Sequence, residues 1–406
     1  MRTPFFTVGM VLLWSARIGL AQPTSTCLPD GVQSSGAKYR ICMPSPSSAW
    51  NGQLVLFAHG YVVSTNPIAI PEDQLKLPDG TSLPGLINSL GYAFAVSSFR
   101  TNGLAVLPAV DDLRDLVDVF HRVVGSTSRV YLTGASEGGL ITTLSMERFP
   151  EVYNAGLAAC GPIGDFPGQI NYLGDFRVLF DHYFPGVIPG SPVVIPPAVI
   201  ANWATLYTPN VAAAVSANPQ AAQQVLHVDW APGGDNPTDT QTTFQDVLWY
   251  NVFTTNDAVQ KLGGNPYDNR ARWYIGSQND FDLNFKVERV AASPTALANM
   301  QAYQTTGKLR RPLVTLHTTG DQIVPYWHEL GYGLKVLVSG SIGRLTSIPV
   351  ARYGHCNFQA SDVLLAFVLM VLNDLGQPMS ASVANVLPSG QQPDFRARAV
   401  QLNAIR

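Results

Sequence analysis

The chain has 406 residues, long enough for a large core and for either one α/β domain with a long insertion or two domains. Charged residues make up only 13% of it and the formal net charge is −3. With no basic block anywhere, nothing points to nucleic acid or to an anionic membrane surface as a partner.

The first residues carry the pattern of a secretory signal. Arg2 supplies a positive start, Phe5 to Trp14 an apolar stretch too short to span a bilayer, and Gly19-Leu20-Ala21 the small residues expected before cleavage after Ala21. An uncleaved anchor or a buried helix is the alternative. The reading predicts a secreted protein without a stable membrane anchor. Four cysteines follow: Cys27, Cys42, Cys160 and Cys356. An even count in an exported chain suggests two disulfides with three connectivities. Cys27 and Cys42 bracket a Gly/Ser-rich turn, which favours a local pair and leaves Cys160 with Cys356; two buried thiols are the alternative there.

Lys38 to Cys42 and Gln53 to Ala58 read as strands, the second so continuously apolar that burial on both faces is expected. It ends at His59-Gly60-Tyr61. Phe94 to Ser98 is the next strand. Leu113, Leu116, Val117, Phe120 and Val124 then recur at helical spacing over 110–124, with Asp111 and Asp112 placed in the first turn and Gly125 as the stop. Arg129 to Thr133 is a strand, and Glu137 to Phe149 a helix ended by Pro150. Between them lies Gly134-Ala135-Ser136-Glu137-Gly138. Ala155 to Cys160 is another strand. The alternation predicts an α/β fold with a mostly parallel sheet flanked by helices, whose ligands bind beyond the carboxyl ends of the strands.

From about Asp165 to Thr305 this alternation stops. Aromatic residues crowd the stretch, among them Phe166, Tyr172, Phe176, Phe180, Tyr183, Phe184, Trp203, Trp230, Trp249, Tyr250 and Trp273. Because it falls between core strands, residues 165–305 read as an inserted cap, or lid, between core segments 22–164 and 306–406. Most of these aromatics are expected in the cap's own core, with some facing a site beneath it. The core resumes with a strand over 312–316, a helix reaching Val338, a last strand over 345–351, and a closing helix over 361–375 whose apolar run, Val363 to Leu372, is too short to span a membrane.

A serine wedged between a strand and a helix, with small residues on both sides, is the setting of a nucleophile elbow. Serine is a weak nucleophile, so it needs a base for its proton and an acid to orient that base. Together with His59-Gly60-Tyr61, the His317…Asp321…Val324-Pro325 loop and Tyr353-Gly354-His355, the elbow resembles the α/β-hydrolase superfamily. The resemblance covers the core and not the cap. It implies Ser136 as nucleophile, Asp321 as acid and His355 as base, acting on an ester or similar acyl bond. His328 is the other histidine downstream of the acid. The oxyanion donors are expected to be the backbone N–H groups of Glu137 and Tyr61. Secreted feruloyl esterases and tannases are similar, but carry cysteines beside both serine and histidine. Here Cys356 follows His355 while Ala135 precedes Ser136, so a bridge from Cys160 would brace the His355 loop instead.

The other polar residues read more plainly. His59 and His317 are expected to shape their loops, and His121 to face water. Asp280-Phe-Asp282-Leu-Asn284 alternates oxygen ligands like a calcium loop but has Phe285 where glycine belongs. No dinucleotide fingerprint or phosphate-cradling loop is present, so no cofactor and no metal are expected. The function expected is a secreted serine carboxylic-ester hydrolase with a small-molecule ester as substrate. The alternatives are a prolyl-type serine peptidase, with Asp175 and Asp181 holding a substrate amino terminus, or a lyase or cyclase on the same scaffold.

Overall fold

The computed structural model describes residues 24–77 and 79–377. The stretch read as a signal peptide, residues 1–21, lies outside them.

Among the described residues one sheet has nine strands: β1 (Thr24–Cys27), β2 (Gly31–Val32), β3 (Lys38–Ser45), β4 (Gln53–Ala58), β5 (Ala93–Ser97), β6 (Arg129–Ala135), β7 (Ala155–Ala159), β8 (Leu313–Gly320) and β9 (Leu345–Tyr353). Their spatial order is β1-β3-β5-β4-β6-β7-β8-β9, with β2 beside β3. β3 runs antiparallel to its neighbours, and every pairing from β5 to β9 is parallel. The central position of β4 explains its unbroken apolar run. Leu54 and Leu56 pack on one face with Leu113, Phe120 and Leu144, and Val55 and Phe57 on the other with Phe94, Leu364 and Phe367. A strand that feeds two cores has no polar face.

The helices covering the sheet are α1 (Leu83–Ser89), α2 (Val106–Val123) and α3 (Glu137–Arg148). Between β7 and β8 the chain runs through α4 (Phe166–Tyr183), α5 (Pro197–Ala201), α6 (Thr208–Ala217), α7 (Pro219–Asp229), α8 (Pro237–Leu262), α9 (Asp280–Lys286) and α10 (Pro294–Met300). After β8 come α11 (Trp327–Val338) and α12 (Ala360–Leu375). The helices between β7 and β8 share an apolar cluster, which takes up Tyr172, Phe176, Phe180, Phe184 and Trp203. Trp230 and Trp273 instead stand 77% and 51% exposed, so not every aromatic was recruited to a core. No described helix is long and apolar enough to cross a membrane.

Two differences from the sequence reading have clear causes. α2 starts at Val106, a turn earlier than expected, because Pro108 is tolerated in a first turn where its missing N–H is not needed. Asp112 therefore does not sit in the first turn; its carboxylate accepts the Arg100 N–H at 2.7 Å. β1 and β2 are edge strands of four and two residues, too short for an apolar alternation to announce them. The register of β1 on β3 sets Cys27 opposite Cys42, and the two are bonded, as are Cys160 and Cys356.

The first turn of α3 comes very close to the sheet. A Cβ on Gly138 would overlap the Ala58 carbonyl, and one on Gly139 would stand 2.7 Å from the Ala159 carbonyl oxygen. Gly138→Ala is accordingly expected to destabilise the protein by about 2 kcal/mol or more, read from the midpoint of urea unfolding.

Candidate active site

Ser136 is the single residue between β6 and α3, and its backbone sits at φ 58°, ψ −125°. For a non-glycine residue this costs of order 1–3 kcal/mol and persists only where the surroundings impose it. Here they do. The Ser136 N–H is tied to the Ala159 carbonyl at 2.9 Å, and the Gly139 N–H returns to the Ser136 carbonyl at 2.8 Å. The result lifts the hydroxyl off the carboxyl edge of the sheet.

Asp321 follows β8 and His355 follows β9, so the strand order carries both to that edge. His355 Nε2 lies 2.9 Å from Ser136 Oγ, and His355 Nδ1 lies 2.7 Å from Asp321 Oδ2 and 3.0 Å from Oδ1. Asp321 is fully buried, and its Oδ1 also accepts the Ile323 and Val324 N–H groups at 3.0 and 2.8 Å. Burial alone would raise its carboxyl, but the imidazoles of His355 and His317 hold it well below the usual range. The structure thus brings together the three residues singled out in the sequence. His328 is excluded as their partner. It is buried, its Nε2 faces Gln169 Oε1 at 2.8 Å and its Nδ1 accepts the Gly164 N–H at 3.1 Å. Burial keeps it neutral.

No family model and no curated protein matches the sequence. Solved structures are similar at low identity. An acylaminoacyl peptidase from Pyrococcus horikoshii is 11% identical, with a TM-score of 0.44 over 87% of this chain. This chain spans 42% of that protein's length. A rice cell wall degrading esterase from Xanthomonas oryzae is 13% identical, with a TM-score of 0.41 over 86% of this chain and 89% of its own. A thermostable esterase from Pseudomonas putida is 13% identical, with a TM-score of 0.42 over 88% and 84%. The chain's own topology decides its architecture: a mostly parallel sheet, a strained serine between its central strands and the next helix, then an acid and a histidine after later strands. The chain has the α/β-hydrolase fold.

In this α/β-hydrolase fold the loops around Ser136 are tied to one another. A Cβ on Gly60 would come within 3.1 Å of Ser136 Cβ, so the His59-Gly60-Tyr61 loop lies against the elbow. Gln74 clamps that loop, accepting the Gly60 N–H at 2.6 Å and donating to the Tyr61 carbonyl at 3.1 Å. His59 shapes it as read, stacked on Phe99 with Nδ1 2.7 Å from the Gly60 carbonyl. The Cys160–Cys356 bridge ties the end of β7 to the residue after His355, and Cys356 Sγ lies 3.4 Å from His355 Nε2. Both bridged cysteines have positive φ, 44° and 48°. The Cys160 and Cys356 sulfurs are bonded to each other, so these two residues and His355 offer no thiolate to a metal.

Sequence reasoning missed α8, which lies across the site along one stripe. The Asp239 carbonyl and the Thr243 hydroxyl meet the Tyr353 hydroxyl at 2.7 and 2.8 Å. Asp246 accepts from Gln322, the neighbour of Asp321, at 2.7 Å. Tyr250 packs its ring against Tyr61, the neighbour of Gly60, and against Trp249. The Phe253 carbonyl accepts the Tyr61 hydroxyl at 2.9 Å, and Asp257 the Leu104 N–H at 2.7 Å. The spacing of these positions, alternately four and three, was the available signal. The Glu137 carboxyl points into the same region and accepts the Ala105 N–H at 3.0 Å. Burial pushes it up to about 8, against that hydrogen bond and the charge of Lys261.

Two other groups of acidic residues weighed in the sequence have partners of their own. Asp175 is held by Arg272 and by the Tyr267 and Tyr274 hydroxyls, and Asp181 by Arg177, so neither is free to bind a substrate amino terminus. Asp280, Asp282 and Asn284 do not converge, because they lie on a helix where alternate residues diverge. Asp280 accepts from Ser277, Asp282 pairs with Lys286, and Asn284 holds the Tyr274 backbone.

His317 proves to be more than a loop-shaper. It is buried behind Asp321, with Nε2 2.8 Å from the Val324 carbonyl and 3.4 Å from Asp321 Oδ2, and Nδ1 3.2 Å from Glu329 Oε1. A carbonyl can only accept, so Nε2 carries a proton; the Glu329 carboxylate, which also accepts from Thr315 at 2.5 Å, favours one on Nδ1. Burial opposes the charge, but the hydrogen bonds to Asp321 and Glu329 outweigh it and raise the imidazole to about 10. A proton bound more tightly in the folded state adds stability that is complete below the unfolded value of about 6.5 and is lost as pH rises towards 10. Glu329→Gln should lower the melting temperature at pH 7 and flatten its decline between pH 7 and 10, measured by thermal melts across that range.

Proposed function

We propose that this protein is a serine hydrolase of carboxylic esters, with Ser136 as nucleophile, His355 as base and Asp321 as the acid that orients it. The observation that carries the reading is the continuous hydrogen-bonded line from the elbow hydroxyl through both nitrogens of His355 to a buried carboxylate. Ser136 Oγ attacks the ester carbonyl carbon as its proton passes to His355 Nε2. The tetrahedral intermediate collapses, the C–O bond to the alcohol breaks, and the alcohol leaves with that proton. Water then gives a proton to His355, attacks the acyl carbon and releases the acid, returning the proton to Ser136.

The oxyanion would be held by the N–H groups of Glu137, which opens α3, and of Tyr61. The Gly60 N–H is already taken by Gln74, which supports Tyr61 as the donor from this loop. The insertion, residues 165–305 in the sequence reading, acts as a cap in this proposal. Its helix α8 and the ring cluster of Tyr61, Trp249 and Tyr250, with centroids 5.0 to 6.1 Å apart, would form the roof against which the ester lies. Two disulfides fit an oxidising compartment, in keeping with export, and the substrate would be a small-molecule ester.

A fluorophosphonate probe followed by peptide mapping is expected to label Ser136 alone. Ser136→Ala should remove both the labelling and the hydrolysis of p-nitrophenyl esters while the melting temperature holds; activity near wild type would overturn the assignment. Gln74→Ala, which frees the Tyr61 peptide to drift, should lower kcat on p-nitrophenyl acetate by about tenfold or more with KM little changed.

A further inference from the structure

Directly beneath the elbow, on the face of the sheet covered by α1 and α12, lies an apolar cavity of about 400 Å³. Its walls are Phe57, Phe94 and Leu157 from the sheet, Leu86 from α1, and Leu364 and Phe367 from α12. The space arises where the strands turn small. Ala135 and Ala159, the last residues of β6 and β7, offer only methyl groups to it. An apolar cavity costs stability in proportion to its volume, and well-packed interiors hold few voids larger than a water molecule. A space this large is of the size folds keep for a ligand.

Neither Ser136 nor His355 lines the cavity, but at one end it comes up to their immediate neighbours. Two of its lining residues also touch the site: Gln74, which holds the Gly60 N–H at 2.6 Å, and Cys356, whose sulfur lies 3.4 Å from His355 Nε2. At its rim stand Asp73 and Lys76, both exposed. The interior offers hydrocarbon and aromatic surface with almost no hydrogen-bonding groups, which suits an unbranched hydrocarbon chain and not a sugar or a peptide.

We propose that this cavity takes the acyl chain of the ester, so that the preferred substrates are esters of medium- to long-chain fatty acids. The proposal rests on the hydrolase reading above. The acyl carbonyl would sit at Ser136 while its tail passes between Gln74 and Cys356 into the space over Leu364. The alcohol would remain on the α8 side, under Trp249 and Tyr250.

The test compares kcat/KM on p-nitrophenyl acetate, hexanoate and decanoate for the wild type and for Leu364→Trp and Leu86→Trp. These variants fill the cavity from two different helices, α12 and α1, and lie outside the proposed reacting groups. Circular dichroism and melting first establish that each variant is folded. The wild type is expected to favour decanoate, and each folded variant to lose about tenfold or more on decanoate while acetate is unchanged. Equal losses on both esters, or no loss on either, would overturn the proposal. Binding of a fluorescent fatty acid to Ser136→Ala supplies the independent measurement. Saturable one-to-one binding that Leu364→Trp abolishes supports the cavity assignment; no binding, or binding unchanged in that variant, overturns it. A wild type that hydrolyses none of the esters yet binds the fatty acid in this way would remove the hydrolase reading and leave the cavity as an apolar-ligand site.

Discussion

Backbone is packed against backbone at the elbow, and much else follows from that. Gly138 and Gly139 let the first turn of α3 rest on the carbonyls ending β4 and β7, where any side chain would intrude. That contact forces Ser136 into its strained conformation and lifts its hydroxyl above the sheet. It also holds the His59-Gly60-Tyr61 loop within reach of the same serine. The strain is local, but the fold that sustains it is the whole nine-stranded sheet, with an apolar core on each face.

Around this point the polar groups form an ordered line, each leaning on the next. Ser136 meets His355, His355 meets Asp321, Asp321 lies against the His317 imidazolium, and His317 against Glu329 and Thr315. Two carboxylates buried so close together would repel one another; a cation between them makes the arrangement tolerable. The covalent bridge from Cys160 to Cys356 acts from the other side, fixing the His355 loop to β7 and giving the cavity beneath it a rigid wall.

Much of the core could be read along the chain. Ser136, Asp321 and His355 each follow a strand with a strong apolar signature, and in a parallel sheet all strand ends of one sense lie at one edge. Local pattern therefore implied proximity. The pairing of Cys27 with Cys42 was favoured for a related reason, since a short turn returns β3 to β1. The role of α8 was not legible, because a stripe of Asp239, Thr243, Asp246, Tyr250 and Asp257 along a helix describes a polar face equally well on any surface. Nor was the fate of Asp175, whose tyrosine partners lie 92 and 99 positions away, although the Arg177–Asp181 pair follows helical spacing.

Residue order thus determined the strands, the elbow and which three side chains end at the same rim, because these follow from hydrophobic periodicity and from the steric needs of glycine and proline. Tertiary structure alone decided that His317 sits between two buried carboxylates, that α8 lies across the loops around Ser136, that Gln74 clamps the Tyr61 loop, and that a cavity opens below the elbow. The last-named cavity and the placing of α8 depend on segments far apart in sequence; His317 and Gln74 act on residues 4 to 14 positions away, whose approach only the folded loops decide. No local pattern records a distance of 3 Å between groups that many intervening residues separate, or a space left where side chains from different elements fail to meet.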